Sequence, residues 1–115
     1  MDINDFIKKQ IEFDKNYKGK REFFTLIDDS NIEELEYLVV CLSGEVGEFA
    51  NIVKKISRGD FLLSECKENI SMELADIFIY LLKIFAQLKI NPEDIFLSKM
   101  EINREKFLKY RRNKS

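Results

Sequence analysis

Histidine and tryptophan are missing altogether, and cysteine, proline and glycine are scarce, at two, one and four residues in 115. Without imidazole there can be no histidine-ligated zinc, no Ser-His-Asp or Cys-His nucleophile and no Glu-x-x-His di-iron bundle. Acid–base chemistry near neutral pH is left to carboxylates, lysine, tyrosine or a metal-bound water. So few glycines and prolines exclude an all-β chain, which would need more turn formers. Cys41 and Cys66 are too few for a disulfide framework and form no CxxC pair, so they read as reduced packing residues of a cytoplasmic protein. No apolar run approaches the roughly 20 residues of a membrane span. The acidic start, Met1-Asp2-Ile3-Asn4-Asp5, lacks a signal-peptide core. Nor is there an excess of charge: a net −2 provides no bulk attraction to nucleic acid or to an anionic membrane, and neither is expected as a partner.

What remains is 45% apolar and 35% charged, the balance of one helix-rich globular domain over residues 1–115. Phe6, Ile7, Gln10, Ile11, Phe13, Asp14 and Tyr17 follow the three-four rhythm of a first helix over 4–17, with Gly19 as its stop. Residues 20–30 are ambiguous; Phe23, Phe24, Leu26 and Ile27 call for burial there, in a short helical turn. Ser30 and Glu33 have the form of a capping box, which starts a second helix that runs to Arg58 and stops at Gly59. Gly44 and Gly47 inside it each cost about 1 kcal/mol against alanine, which implies close approach of another helix or a ligand. The third helix runs from Ser64 to Lys89. Between Leu74 and Leu88 it is apolar almost all round, so a second subunit is expected to cover its other side. Asn91-Pro92-Glu93-Asp94, with its capping side chain, proline and early acids, begins a fourth helix. A basic tail, Lys109 to Ser115, is expected to fray.

The chemistry concentrates in two stretches, Glu45-Val46-Gly47-Glu48 and Glu73-Leu74-Ala75-Asp76. Acids three apart share a helix face. Two such pairs on adjacent helices can bring four carboxylates to one spot, an arrangement suited to a hard divalent cation such as Mg²⁺. Tyr80 lies one turn beyond Asp76. Lys99, Asn103 and Arg104 offer two cations and an amide to a polyphosphate. Each group also has a plainer reading, as solvated acids, a core-edge tyrosine or a basic helix surface. Taken together they are the equipment for water attack on a phosphoanhydride.

In the pattern Glu-x-x-Glu, 24 residues, Glu-x-x-Asp, the chain resembles the all-α, MazG-like nucleoside triphosphate pyrophosphohydrolases. The segments Leu42–Asn51, Glu73–Leu81 and Leu97–Arg104 look most like the dCTP pyrophosphatase branch, and the likeness covers roughly residues 32–108. It implies a four-helix-bundle core completed by dimerisation, as a homodimer or a dimer of dimers. The implied reaction is Mg²⁺-dependent (Mn²⁺ as substitute) hydrolysis of a nucleoside triphosphate to monophosphate and pyrophosphate. Carried over position by position, Glu45, Glu48, Glu73 and Asp76 match the metal-binding acids, with Glu45 or Glu48 as the base. Tyr80 matches a tyrosine near the nucleotide, and Lys99, Asn103 and Arg104 the phosphate-facing motif. Lys55 stands where that branch has a tryptophan and Gln10 roughly where it has a histidine, so the base contacts differ; residues 18–31 also look longer. A related substrate such as dUTP or phosphoribosyl-ATP, or a non-catalytic regulatory dimer that binds nucleotide or metal, are the competing readings. A ferritin-like di-metal bundle would want the absent histidines.

Overall fold

The computed structural model describes residues 1–112, and its order is four α-helices with two short 3₁₀ turns. The chain is all-α; the described residues contain no strand beyond an isolated Lys18–Glu22 bridge. Helix α1 spans Ile3–Lys15, α2 Ile32–Ser57, α3 Leu63–Gln87 and α4 Pro92–Lys106. Among the described residues, no helix is long and apolar enough to cross a membrane.

The helix ends follow local chemistry. Asp2 and Asp5 cap the start of α1 reciprocally, side chain to backbone, at 3.1 and 2.9 Å. Asn91 caps α4 through its side chain, with Pro92 in the first turn. Gly59, at φ 93°, turns the chain out of α2, a conformation that favours glycine. The expected Ser30–Glu33 box does not form. Asp28 and Asn31 cap each other instead around a 3₁₀ turn, Asp29–Asn31, and α2 starts after it. Asp28 wins because its carboxylate takes both the backbone N–H and the hydroxyl of Ser30, which holds its pKa below the ordinary value.

No helical turn forms before that, over 20–28. The segment is an irregular strap tied to the end of α3: Ile27 N–H donates to the Gln87 carbonyl at 2.9 Å, and the Gln87 amide donates to the Phe23 carbonyl at 3.2 Å. Gln87 is buried in the process, whereas Phe23 and Leu26 stay exposed. The tail adds a 3₁₀ turn, Leu108–Tyr110, rather than fraying at once; residues 113–115 of the expected frayed tail lie outside the described residues.

Helices α2 and α3 form an antiparallel hairpin whose register sets Glu45 against Glu73 and Asp76, and Cys41 against Tyr80. Helix α1 packs on α3, with Phe6 edge-on to Phe78 at 5.7 Å and Asp14 bonded to Lys83. Helix α4 makes its main packing on α1. The interior is thin: Leu38, Cys66 and Leu82 are its buried apolar residues. Even so, the chain exposes 9267 Å², where a compact monomer of 13.7 kDa exposes about 6,600 Å².

Candidate functional site

Both acid pairs lie mid-helix, where i, i+3 spacing turns them to one side of the hairpin. Oxygens of Glu45, Glu73 and Asp76 lie within 4.8 Å of one another. Glu48 borders this triplet and reaches Glu73. Like charges gathered this closely cannot all stay ionised unaided. The pKa of Glu45 is pushed up to about 7, first by loss of water around the carboxyl, then by its bond to Glu73 and the charges of Glu48 and Asp76. That of Glu73 is raised for the same first reason. One oxygen of each, Glu45 Oε2 and Glu73 Oε2, is buried without any hydrogen-bond partner.

The cluster opens into a cleft of about 570 Å³ between α1 and α3. Glu45, Asp76, Tyr80 and Gln10 all line it. Tyr80 is kept a neutral phenol, its pKa pushed up to about 12 by partial burial and then by the neighbouring Cys41 thiol. Gln10 donates to Asp14 at 2.9 Å. The apolar walls include Phe6, Phe13 and Phe23.

Other candidates lie elsewhere. Lys55 is ten residues past Glu45 on α2, about 15 Å along the axis, and does not line the cleft. Nor do Lys99, Asn103 and Arg104. Because α4 makes its main packing on α1, Lys99 borders an apolar groove of about 690 Å³ with Phe85, Ile95 and Phe96. Arg104 pairs with Glu101 one turn earlier. A Cβ at Gly44 or Gly47 would meet nothing within 4 Å; the close approach expected there does not occur within this chain.

Asp14 and Lys83 complete the cleft wall; the spacing of α3 puts Lys83 on one polar strip with Glu73, Asp76 and Tyr80, either an exposed seam or a site, whereas Asp14 reads from the sequence only as part of the rhythm of α1. Its signal was that of an acid inside an apolar rhythm.

The family model of the MazG nucleotide pyrophosphohydrolase domain matches residues 33–107. The Gene 37 protein of Mycobacterium phage L5 is 37% identical over 73 residues, which cover 62% of this chain and 60% of that protein. The chain thus spans about three fifths of the relative's length. No solved structure matches.

Proposed function

Since the chain belongs to the MazG nucleotide pyrophosphohydrolase family, we propose that it hydrolyses a (deoxy)nucleoside triphosphate to monophosphate and pyrophosphate, in a cytoplasmic role such as nucleotide-pool sanitation. The observation that carries this reading is the pair of buried, unpartnered oxygens on Glu45 and Glu73 beside Asp76. Buried acceptors with no donor call for a cation, and an anionic, all-oxygen set suits Mg²⁺ or Mn²⁺. Glu45, Glu73 and Asp76 would hold it, with Glu48 at the margin. When bound, such an ion neutralises phosphate charge and acidifies water.

The chain's own groups supply the rest. Water attacks the α-phosphorus, its proton passes to a carboxylate of Glu48 or Glu45, and pyrophosphate departs with the electron pair of the broken P–O bond. Glu48 suits the role of base because it stands beside Glu73 and Glu45 and is exposed. Tyr80 remains a hydrogen-bond donor at any working pH and sits beside Glu45. The aromatic walls give a base somewhere to stack.

The working unit is proposed to be a homodimer or a dimer of dimers. An excess of about 2,700 Å² over a compact monomer is the scale of a large obligate interface. Lys99, Asn103 and Arg104, remote from the acids of their own chain, would then meet a partner's nucleotide phosphates.

Incubation with a panel of nucleoside triphosphates, dCTP, dUTP and phosphoribosyl-ATP included, with Mg²⁺ and a pyrophosphate readout, tests the reaction. Release that stops on chelation is the expected result. No release from any of them leaves a helical dimer that only binds nucleotide or metal.

A further inference from the structure

Farther along the cleft lies a polar group that the proposed hydrolysis does not use. Asp14 is 2% exposed, the most buried residue of α1. Its Oδ1 accepts from Gln10 Nε2 at 2.9 Å and from Lys83 Nζ at 3.3 Å. The Lys83 ammonium also lies over the rings of Phe23 and Tyr80, 5.2 and 5.6 Å from their centroids. Asp76 and Lys83 stand on one face of α3, seven residues apart, about 10 Å along the axis. That span is comparable with the reach from an α-phosphate to the far edge of a base.

A buried ion pair is a poor way to hold two helices together, since apolar residues of the same shape would serve as well or better. This pair also has capacity left over. Both bonds to Asp14 fall on Oδ1, so Oδ2 is free to accept. An ammonium carries three donors, and Lys83 spends one on Asp14. The cleft therefore presents one strong acceptor next to one strong donor, between aromatic side chains.

We infer that Asp14 and Lys83 read the edge of an amino-bearing nucleobase stacked among Phe6, Phe13 and Phe23, and so set the base preference of the site. This rests on the nucleotide reading above. An exocyclic amino group gives its N–H to Asp14 Oδ2, and the adjacent ring nitrogen accepts from Lys83. In the same seating an imide base such as uracil turns its O4 carbonyl toward the Asp14 carboxylate and its N3–H toward the Lys83 ammonium, so acceptor meets acceptor and donor meets donor. The mismatch leaves buried polar groups unpaired, the situation in which binding sites discriminate most strongly.

dCTP and dUTP differ only at this edge, as do ATP and ITP at the corresponding purine edge. Binding of their non-hydrolysable α,β-methylene analogues, with Mg²⁺ present, separates base reading from turnover. The amino member of at least one pair should bind about tenfold or more tightly. Asp14→Asn replaces one acceptor with a donor and should bring that ratio close to one while leaving the Mg²⁺ affinity of the acid cluster unchanged. Lys83→Gln should narrow the ratio as well, and serves if Asp14→Asn does not fold. Equal binding within both pairs by the wild-type protein overturns the inference, as does an unchanged ratio in a folded variant. Absence of pyrophosphate release together with intact discrimination would instead remove the hydrolytic reading and leave the base site standing.

Discussion

Glu48→Gln and Asp76→Asn each take one negative charge from the cluster and keep its shape. Either should lower pyrophosphate release by about a hundredfold or more, the scale on which removal of one general base or one electrostatic group is felt. Far-ultraviolet circular dichroism should show the helices intact, and wild-type turnover in either variant would dismantle the metal assignment. Glu45 adds a pH dependence of known sign. In the metal-free fold its pKa lies near 7, against an ordinary 4.5, so the folded chain holds a proton that the unfolded chain releases. Its contribution to stability is fully present below about 4.5 and is lost as pH rises through about 7; the upward shift of Glu73 acts in the same direction. Thermal unfolding in chelator should therefore occur at lower temperature at pH 8 than at pH 5, and added Mg²⁺ should recover the loss at pH 8. A melting temperature that climbs with pH in chelator would contradict this. The acids were legible in the sequence because helical spacing alone puts residues three apart on one face. Asp14 was not, because its burial depends on where α1 lands along α3, and no local pattern encodes that.

At the level of elements, the α2–α3 hairpin carries the site, and its turn and its scarce core are the places to test it. Gly59 sits at φ 93°, so Gly59→Ala should cost about 1 kcal/mol or more in a urea titration. Leu82 is 4% exposed in a thin interior, and Leu82→Ala should cost about 2–5 kcal/mol. If Leu82→Ala were neutral, the hairpin would not be what holds α1 and the strap in place. The helix boundaries that could be read in advance were those with strong local chemistry, Asn91-Pro92 and Gly59. The start of α2 could not, since Asp28, Ser30 and Glu33 all offer caps and Asp28 prevails by taking both donors of Ser30. The strap itself has no periodicity, and its hydrogen bonds go to the far end of α3, which no window of neighbouring residues contains.

The whole molecule is open, with α4 displaying Ile95, Phe96, Leu97 and Ile102 to solvent and holding its basic side chains away from the acids. A radius of gyration of 18.0 Å stands well above the roughly 13 Å of a compact chain of this size. The four-helix content was legible, but the docking of α4 on α1 was not, because the spacing within either helix does not say which neighbour its apolar face meets. Phe96 is 62% exposed, and Phe96→Asp should shift the sedimentation coefficient to that of a monomer, with loss of turnover although no acid is touched. Complementation then asks whether the loss reflects a shared site. Asp76→Asn and Arg104→Ala should each be inactive alone. If Arg104 serves the partner's nucleotide, refolding the two variants together places one intact site in each mixed dimer, and activity should return to about a quarter of the wild-type value. If Arg104 serves its own chain, or none, every site in every mixed dimer keeps the defect of one of its chains, and the mixture can be no more active than the average of the two variants alone.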